Sequence, residues 1–338
     1  MAEPLITLDG VEVVFPTRRG PVRALDDVSL TLERGQVLCL VGESGSGKTT
    51  TAKVAAGLLR QASGNVRFEG KDIRQLDGQQ YAAFRRGVQY VHQDPYASLN
   101  PVHTVFSTLS APLQRHRLVR GRAEARRRAA KLLEEVDLTP PENFLDKYPH
   151  QLSGGQRQRV AVARALTLDP KLIIADEATS MLDVSIRVSL LNMLKRLRSD
   201  LGVAFLFITH DLAIAKYFAW EGHIAVMYLG RIVEHGPAPR IINDPLHPYT
   251  RALLAAIPEP DPDKTRRKEP LGLRELDIPS LLNVPRGCSF HPRCPLMEEG
   301  LCDRERPELE TIEPGRLASC HVVARERARV TAAEASSS

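Results

Sequence analysis

Gly42-Glu43-Ser44-Gly45-Ser46-Gly47-Lys48-Thr49 fits the pattern G-x-x-x-x-G-K-[ST], and the residues on both sides are those the pattern needs. Residues 36–41 (QVLCLV) form a short apolar run of the kind buried in a parallel sheet, and residues 50–59 carry apolar side chains at helical spacing. Strand, glycine loop and helix in that order build a concave nest of backbone N–H groups aimed at phosphate oxygens, with the positive end of the helix dipole behind it. The reading sets Gly42, Ser44, Gly45, Ser46, Gly47 and Thr50 around the phosphates of a nucleotide. Lys48 bridges the β- and γ-phosphates, and the Thr49 hydroxyl holds Mg²⁺.

The 338 residues suffice for one large domain or two smaller ones, and 43% apolar residues supply a sizeable core. The longest apolar runs, such as residues 203–208, fall far short of the roughly 20 residues that span a bilayer, so no transmembrane helix is expected. The opening Met1-Ala2-Glu3-Pro4 lacks a basic region followed by an apolar segment, which points to the cytosol; any membrane role then comes through partners. The net charge of +5 arises from 46 basic against 41 acidic residues without one long basic block. The densest basic stretch, residues 122–131 (RAEARRRAAK), reads first as a solvated helix face, with a nucleic-acid or lipid patch as the alternative; charge does not decide function, and no nucleic-acid partner is expected.

Along the chain, residues 5–35 read as paired strands around a turn at residues 17–21, with alternation in Ile6, Leu8, Val11, Val13 and Phe15. Phe15 offers a ring face for a nucleobase or a side chain for the core. Residues 64–74 give two short strands, and residues 88–93 another that ends at Gln93, where open α/β sheets place ligand groups. From residue 94 to about 168 the pattern is helical, broken by Pro95, Pro101, Pro112, Pro140, Pro141 and Pro149. Within it Leu152-Ser153-Gly154-Gly155-Gln156 opens a helix over 156–168, a second anion-binding terminus in one chain. One nucleotide does not need two in one monomer. Residues 171–177 (KLIIADE) read as a buried strand ending in two carboxylates: Asp176 suits Mg²⁺ held through water, and Glu177 the base that polarises attacking water. A helix over 184–201 and a strand over 203–208 lead to His210, placed to contact the γ-phosphate.

The ordered set of the phosphate loop, Gln93, LSGGQ at 152–156, LIIADE, Ser180-Met181-Leu182-Asp183 and His210 resembles the nucleotide-binding domain of ATP-binding-cassette proteins. The resemblance covers roughly residues 5–240. It implies an α/β P-loop NTPase cassette with a RecA-like parallel sheet core, an antiparallel β subdomain and a helical subdomain. It also accounts for the second anion site, because two cassettes pair head to tail. Each ATP lies between one copy's phosphate loop and the other's Ser153, Gly154, Gly155 and Gln156, with Asp183 at the dimer contact. Hydrolysis then rests on Glu177, His210 and Gln93, with Mg²⁺ held by Thr49, Gln93 and Asp176.

A finer resemblance lies in Gln93-Asp94-Pro95-Tyr96-Ala97-Ser98-Leu99-Asn100-Pro101, in YPHQLSGGQRQR at 148–159, and in His247-Pro248-Tyr249-Thr250. Together these are similar to the ATPases of oligopeptide/dipeptide importers, a family that includes nickel and glutathione systems. It implies an ATPase peripheral on the cytoplasmic side of the membrane, a second cassette (a heterodimer, although the intact half-sites also suit a homodimer), two permeases and, indirectly, an extracytoplasmic solute-binding protein.

After Pro258-Glu259-Pro260-Asp261-Pro262-Asp263 the composition turns Pro-rich and charged. The expected division is a nucleotide-binding domain over 1–258, an extension over 259–323 and a frayed tail over 324–338. Four of the five cysteines, Cys288, Cys294, Cys302 and Cys320, fall in the extension, and in a cytosolic chain such clustering points to metal rather than disulfides. Their spacing resembles the C-terminal motif of peptide-importer ATPases, some of which carry a [4Fe–4S] cluster, whose demand four thiolates match. Zn²⁺, with His291 and His321 as further ligands, and free structural thiols are the alternatives. Cys39, inside the strand before the phosphate loop, reads as core.

Overall fold

The computed structural model describes residues 3–257 and 272–335, with side chains as far as residue 329, so the linker read from Pro258 to Asp263 lies outside the described residues. In chain order the elements are β1 (Ile6–Thr17), β2 (Gly20–Leu32), β3 (Val37–Val41), α1 (Lys48–Ala55), β4 (Ser63–Phe68) and β5 (Lys71–Asp72). Then come α2 (Gly78–Gly87), β6 (Val88–Val91), α3 (Pro95–Ser98), α4 (Val105–Arg115), α5 (Arg122–Glu135), α6 (Glu142–Leu145) and a 3-10 turn (Pro149–Gln151). The chain continues with α7 (Gly154–Leu166), β7 (Leu172–Asp176), α8 (Val184–Leu201), β8 (Ala204–Thr209), α9 (Leu212–Phe218) and β9 (His223–Tyr228). The last described elements are β10 (Arg231–Pro237), α10 (Ala238–Asn243), α11 (Pro248–Ala255), β11 (Glu310–Glu313), β12 (Arg316–Ala318) and α12 (His321–Ala335). No described helix is long and apolar enough to cross a membrane.

Two compact units divide these elements. The first comprises Met1–Thr7, Thr31–Gln36 and Arg67–Ile208. In it β6, β7 and β8 run parallel, with Tyr90 opposite Ile174, Val91 opposite Ala175, and Asp176 opposite Ile208. Every residue of LIIAD and AFLFIT is buried, as continuous apolar runs in a sheet covered on both faces should be. Helices α3 to α7 separate β6 from β7 and correspond to the helical insertion expected there. Helix α5 is rich in good helix formers, and Ala125, Ala129, Leu132 and Leu133 recur at helical spacing to bury one side against α4 and α7. The predicted start of α7 at Gln156 moves back to Gly154, because Ser153 is the cap.

The second unit comprises Leu8–Leu30, Val37–Val66 and Thr209–Ser338. One of its sheets runs β2-β1-β4, the expected small β unit; the other runs β11-β12-β10-β9-β3. Parallel β3 and β9 are wholly apolar at their centres, whereas β9, β10, β12 and β11 pair antiparallel in turn. The extension is therefore grouped with the phosphate loop, where the sequence suggested a separate domain from residue 259. Arg316, 2% exposed, ties it down with bonds to Asp244 and Glu313. Residues from 324, expected to fray, instead continue helix α12 as far as Ala335. Val322 and Val323 bury its first turn, and Arg325 pairs with Glu298.

Candidate functional site

In the second unit the phosphate loop leaves β3 at Gly42, whose φ of 156° brings its Cα so close to β9 that a Cβ would lie 2.1 Å from the Met227 carbonyl oxygen. Gly47, at φ 108°, caps α1; a Cβ there would meet the Ala24 carbonyl at 2.7 Å. These two positions require glycine for both conformation and space. Lys48 is 5% exposed, and its Nζ donates to the Gly42 and Glu43 carbonyls, each at 2.8 Å. Its ammonium is thus bridged across the loop mouth. Ser44, Gly45 and Thr49 are exposed and Thr50 half-buried, while Ser46 is buried and its Oγ has no hydrogen-bond partner. The first turn of α1 holds no acidic residue, so nothing within the helix cancels the positive end of its dipole. Phe15, on β1, is 38% exposed, which removes it from the core and leaves its ring open to a ligand. His210 is exposed just after β8.

In the first unit Asp176 ends β7 at 4% exposure, and its Oδ2 accepts from the Tyr90 hydroxyl at 2.7 Å. Burial and the neighbouring Asp176 charge both push the Tyr90 phenol far up, so it remains a donor. Glu177 follows at φ 46°, a left-handed conformation uncommon for a side chain of its size, with its amide held by the Ile208 carbonyl at 3.0 Å. Gln93, two residues beyond β6, donates from Nε2 to Glu177 Oε2 at 3.0 Å. Two residues that the sequence assigned to hydrolysis are therefore in contact. Ser153 caps α7: its Oγ accepts from the Gln156 amide at 3.3 Å, and Gln156 Oε1 accepts from the Ser153 amide at 3.0 Å. The Ser153 proton remains available to an outside acceptor. Gly155 is buried so tightly that a Cβ would come within 2.6 Å of Ile186, while Asp183 is exposed at the start of α8 with no capping bond.

A family profile described as "ABC transporter" matches residues 25–180, and one described as "Oligopeptide/dipeptide transporter, C-terminal region" matches residues 233–302. The chain is 44% identical over 330 residues to the probable peptide ABC transporter ATP-binding protein y4tS of Sinorhizobium fredii (strain NBRC 101917 / NGR234), across 95% of this chain and 91% of that one. It belongs to the ATP-binding proteins of ABC transporters. The oligopeptide transport ATP-binding protein OppF of Escherichia coli (strain K12) is 43% identical over 289 residues, covering 86% of this ABC ATPase and 85% of OppF. The ABC transporter cassette MJ0796, solved as a post-hydrolysis dimer with ADP and Pi, matches 69% of this chain and 98% of its own at TM-score 0.61 and 30% identity. The cassette cbiO1 from Clostridium perfringens matches 72% and 92% at TM-score 0.62 and 26% identity. This ABC ATPase has the α/β P-loop NTPase fold and hydrolyses ATP.

Sequence reasoning passed over Tyr90. Only the β6/β7 register, with Val91 opposite Ala175, reveals that its hydroxyl reaches Asp176. Tyr90→Phe is expected to cost about tenfold in turnover at limiting Mg²⁺, since a hydrogen bond to a charged group contributes about 1.5–3 kcal/mol. Excess Mg²⁺ should recover part of the loss; a Mg²⁺ titration identical to that of the unaltered ATPase would take Tyr90 out of the site.

The four clustered cysteines are free thiols around one pocket, with Phe290, Leu296 and Val322 between them. Burial, and then the neighbouring thiols, push Cys288 up to about 12 and Cys294 up to about 11, and Cys320 is raised chiefly by burial. The donor chemistry of four thiols suits a metal cluster. Among the described residues, no three His, Cys, Asp or Glu side chains converge as a metal site. Cys302 Sγ accepts from the Glu298 amide at 3.5 Å. The two candidate histidines also face backbone: His291 Nδ1 lies 2.9 Å from the Cys288 carbonyl and His321 Nε2 3.1 Å from that of Glu305. Cys39 is core, fully buried, as expected.

Proposed function

We propose that this ABC ATPase powers import of oligopeptides or dipeptides through membrane-spanning permeases. The observation that carries the reading is that the oligopeptide/dipeptide C-terminal region, residues 233–302, and the cassette lie on one chain. Lys48 binds the β- and γ-phosphates and Thr49 takes Mg²⁺; Asp176 and Gln93 keep the Mg²⁺ roles assigned from sequence, and Glu177 and His210 those at the attacking water and γ-phosphate. Phe15 faces the adenine. Ser153, Gly154, Gly155 and Gln156 bind the ATP of a second cassette, with Asp183 at that contact. ATP closes the pair because its phosphates bridge two positive helix termini that otherwise repel; hydrolysis removes the bridge. The second cassette is a different chain, and the complex sits on the cytoplasmic face with two permeases, fed by an extracytoplasmic solute-binding protein. Cys288, Cys294, Cys302 and Cys320 hold a [4Fe–4S] cluster; four thiols around one pocket support this reading, and Zn²⁺ is the competing occupant.

The test uses tagged Glu177→Gln protein, extracted with ATP from membranes in mild detergent without oxygen, with every co-purifying chain identified by mass spectrometry. Two permeases, a second cassette and a solute-binding protein are expected, together with about four irons per chain. Recovery only from the soluble fraction, with ribosomal or DNA-bound proteins, would overturn import and leave the ATPase standing. A chain holding zinc or no metal would overturn the cluster.

A further inference from the structure

Glu43 is an unspecified position in the phosphate-loop pattern, yet three of its polar groups are engaged. Its carbonyl accepts from Lys48 Nζ at 2.8 Å, and its amide donates to the Tyr249 hydroxyl at 2.9 Å. Its carboxylate receives both arms of the Arg293 guanidinium, at 2.9 and 3.0 Å. Arg293 belongs to the extension, one residue before Cys294, and its side chain is only 7% exposed. It lies beside Tyr228 and Phe290, whose rings, with that of Tyr249, form a mutually packed cluster. Tyr249 and Phe290 are fully buried and Tyr228 nearly so, which leaves the guanidinium a fixed position rather than a swinging one.

This arrangement answers an electrostatic difficulty. A carboxylate on the second residue of an anion-binding nest repels the polyphosphate that the nest exists to hold. A planar fork of matching geometry neutralises that carboxylate and fixes its direction, which a lysine cannot do equally well. Because the Glu43 carbonyl carries the Lys48 ammonium, fixing Glu43 also fixes the group that meets the phosphates.

We propose that Arg293 is a positioning residue for nucleotide binding: from the extension it neutralises Glu43 and, through that residue, sets the phosphate loop and Lys48. The inference rests on ATP binding alone and is independent of the cargo.

The experiment titrates the full-length chain and its variants with MgATP, and follows thermal unfolding and steady-state kinetics alongside. Arg293→Met is expected to weaken MgATP binding about tenfold and to raise KM more than it lowers kcat, with the loss shrinking as salt screens the uncompensated charge of the partly exposed Glu43. Glu43→Gln is expected to tighten binding about twofold, because Arg293 then faces the phosphates uncompensated. Arg293→Met combined with Glu43→Gln should regain most of the lost affinity. A purely structural Arg293 would make the double variant at least as poor as Arg293→Met. That result, or a folded Arg293→Met with unaltered affinity, overturns the proposal. Should Arg293→Met not fold, Glu43→Gln and Arg293→Lys decide: the proposal stands if the lysine variant binds MgATP several-fold more weakly and Glu43→Gln does not, and falls otherwise.

Discussion

Glu177→Gln should lower steady-state ATP turnover by about three orders of magnitude, within the range for removal of a general base, while ATP affinity stays within about twofold. Glutamine reproduces the shape of glutamate but has neither its charge nor its basicity. The position is already built: the backbone is held in the left-handed region at φ 46° by the Ile208 carbonyl, and Gln93 donates to Oε2. A side chain so constrained does not need to search for the attacking water. Single-turnover hydrolysis gives the chemical step directly, and size-exclusion chromatography with ATP should show the variant held as a closed pair of cassettes. Turnover equal to that of the unaltered ATPase would take Glu177 out of the base role.

Lys48→Ala is expected to weaken ATP binding by about a hundredfold or more, by loss of a charge-assisted contact to two phosphates. The ammonium is 5% exposed and bonded to the Gly42 and Glu43 carbonyls, so alanine removes the phosphate ligand and takes a donor from both, although the Glu43 carbonyl keeps the Ser46 amide at 3.2 Å. Loop order should fall with affinity. Equilibrium titration with MgATP measures the loss, and a Lys48→Ala protein that binds and hydrolyses normally would undo the assignment of the loop.

What could be read from the sequence is what lies close along it. The phosphate loop, the strand before it and the helix after it occupy adjacent residues, and glycine at 42 and 47 is imposed by backbone carbonyls that a Cβ would strike, at 2.1 and 2.7 Å. The buried runs LIIAD and AFLFIT identify their strands in the same way, because a sheet covered on both faces leaves no polar alternation to mislead. Partners set by register or by distant segments were not legible. Tyr90 meets Asp176 through strand pairing, and Arg293 meets Glu43 from 250 positions away; neither pair carries a local signal. The clustering of four cysteines pointed to metal, and the structure sets all four thiols around one pocket. Nor does the polar, small composition of the tail signal that Val322, Val323 and the Arg325–Glu298 pair fasten the start of α12.

The β11–β12 hairpin also bears on solubility. Strand β10 is paired on one side with β9 and on the other with β12, with Glu234 opposite Ala318 and His235 opposite Leu317. Without the hairpin, β10 would present a row of unsatisfied N–H and C=O groups, a template for any passing strand. With it, the sheet ends instead at β11, whose four residues include Glu310 and Glu313. A short acidic border of this kind is a poor template for further pairing. A cassette trimmed before residue 310 would therefore not be a smaller ATPase in solution; it would have a sticky edge, and its natural fate is aggregation.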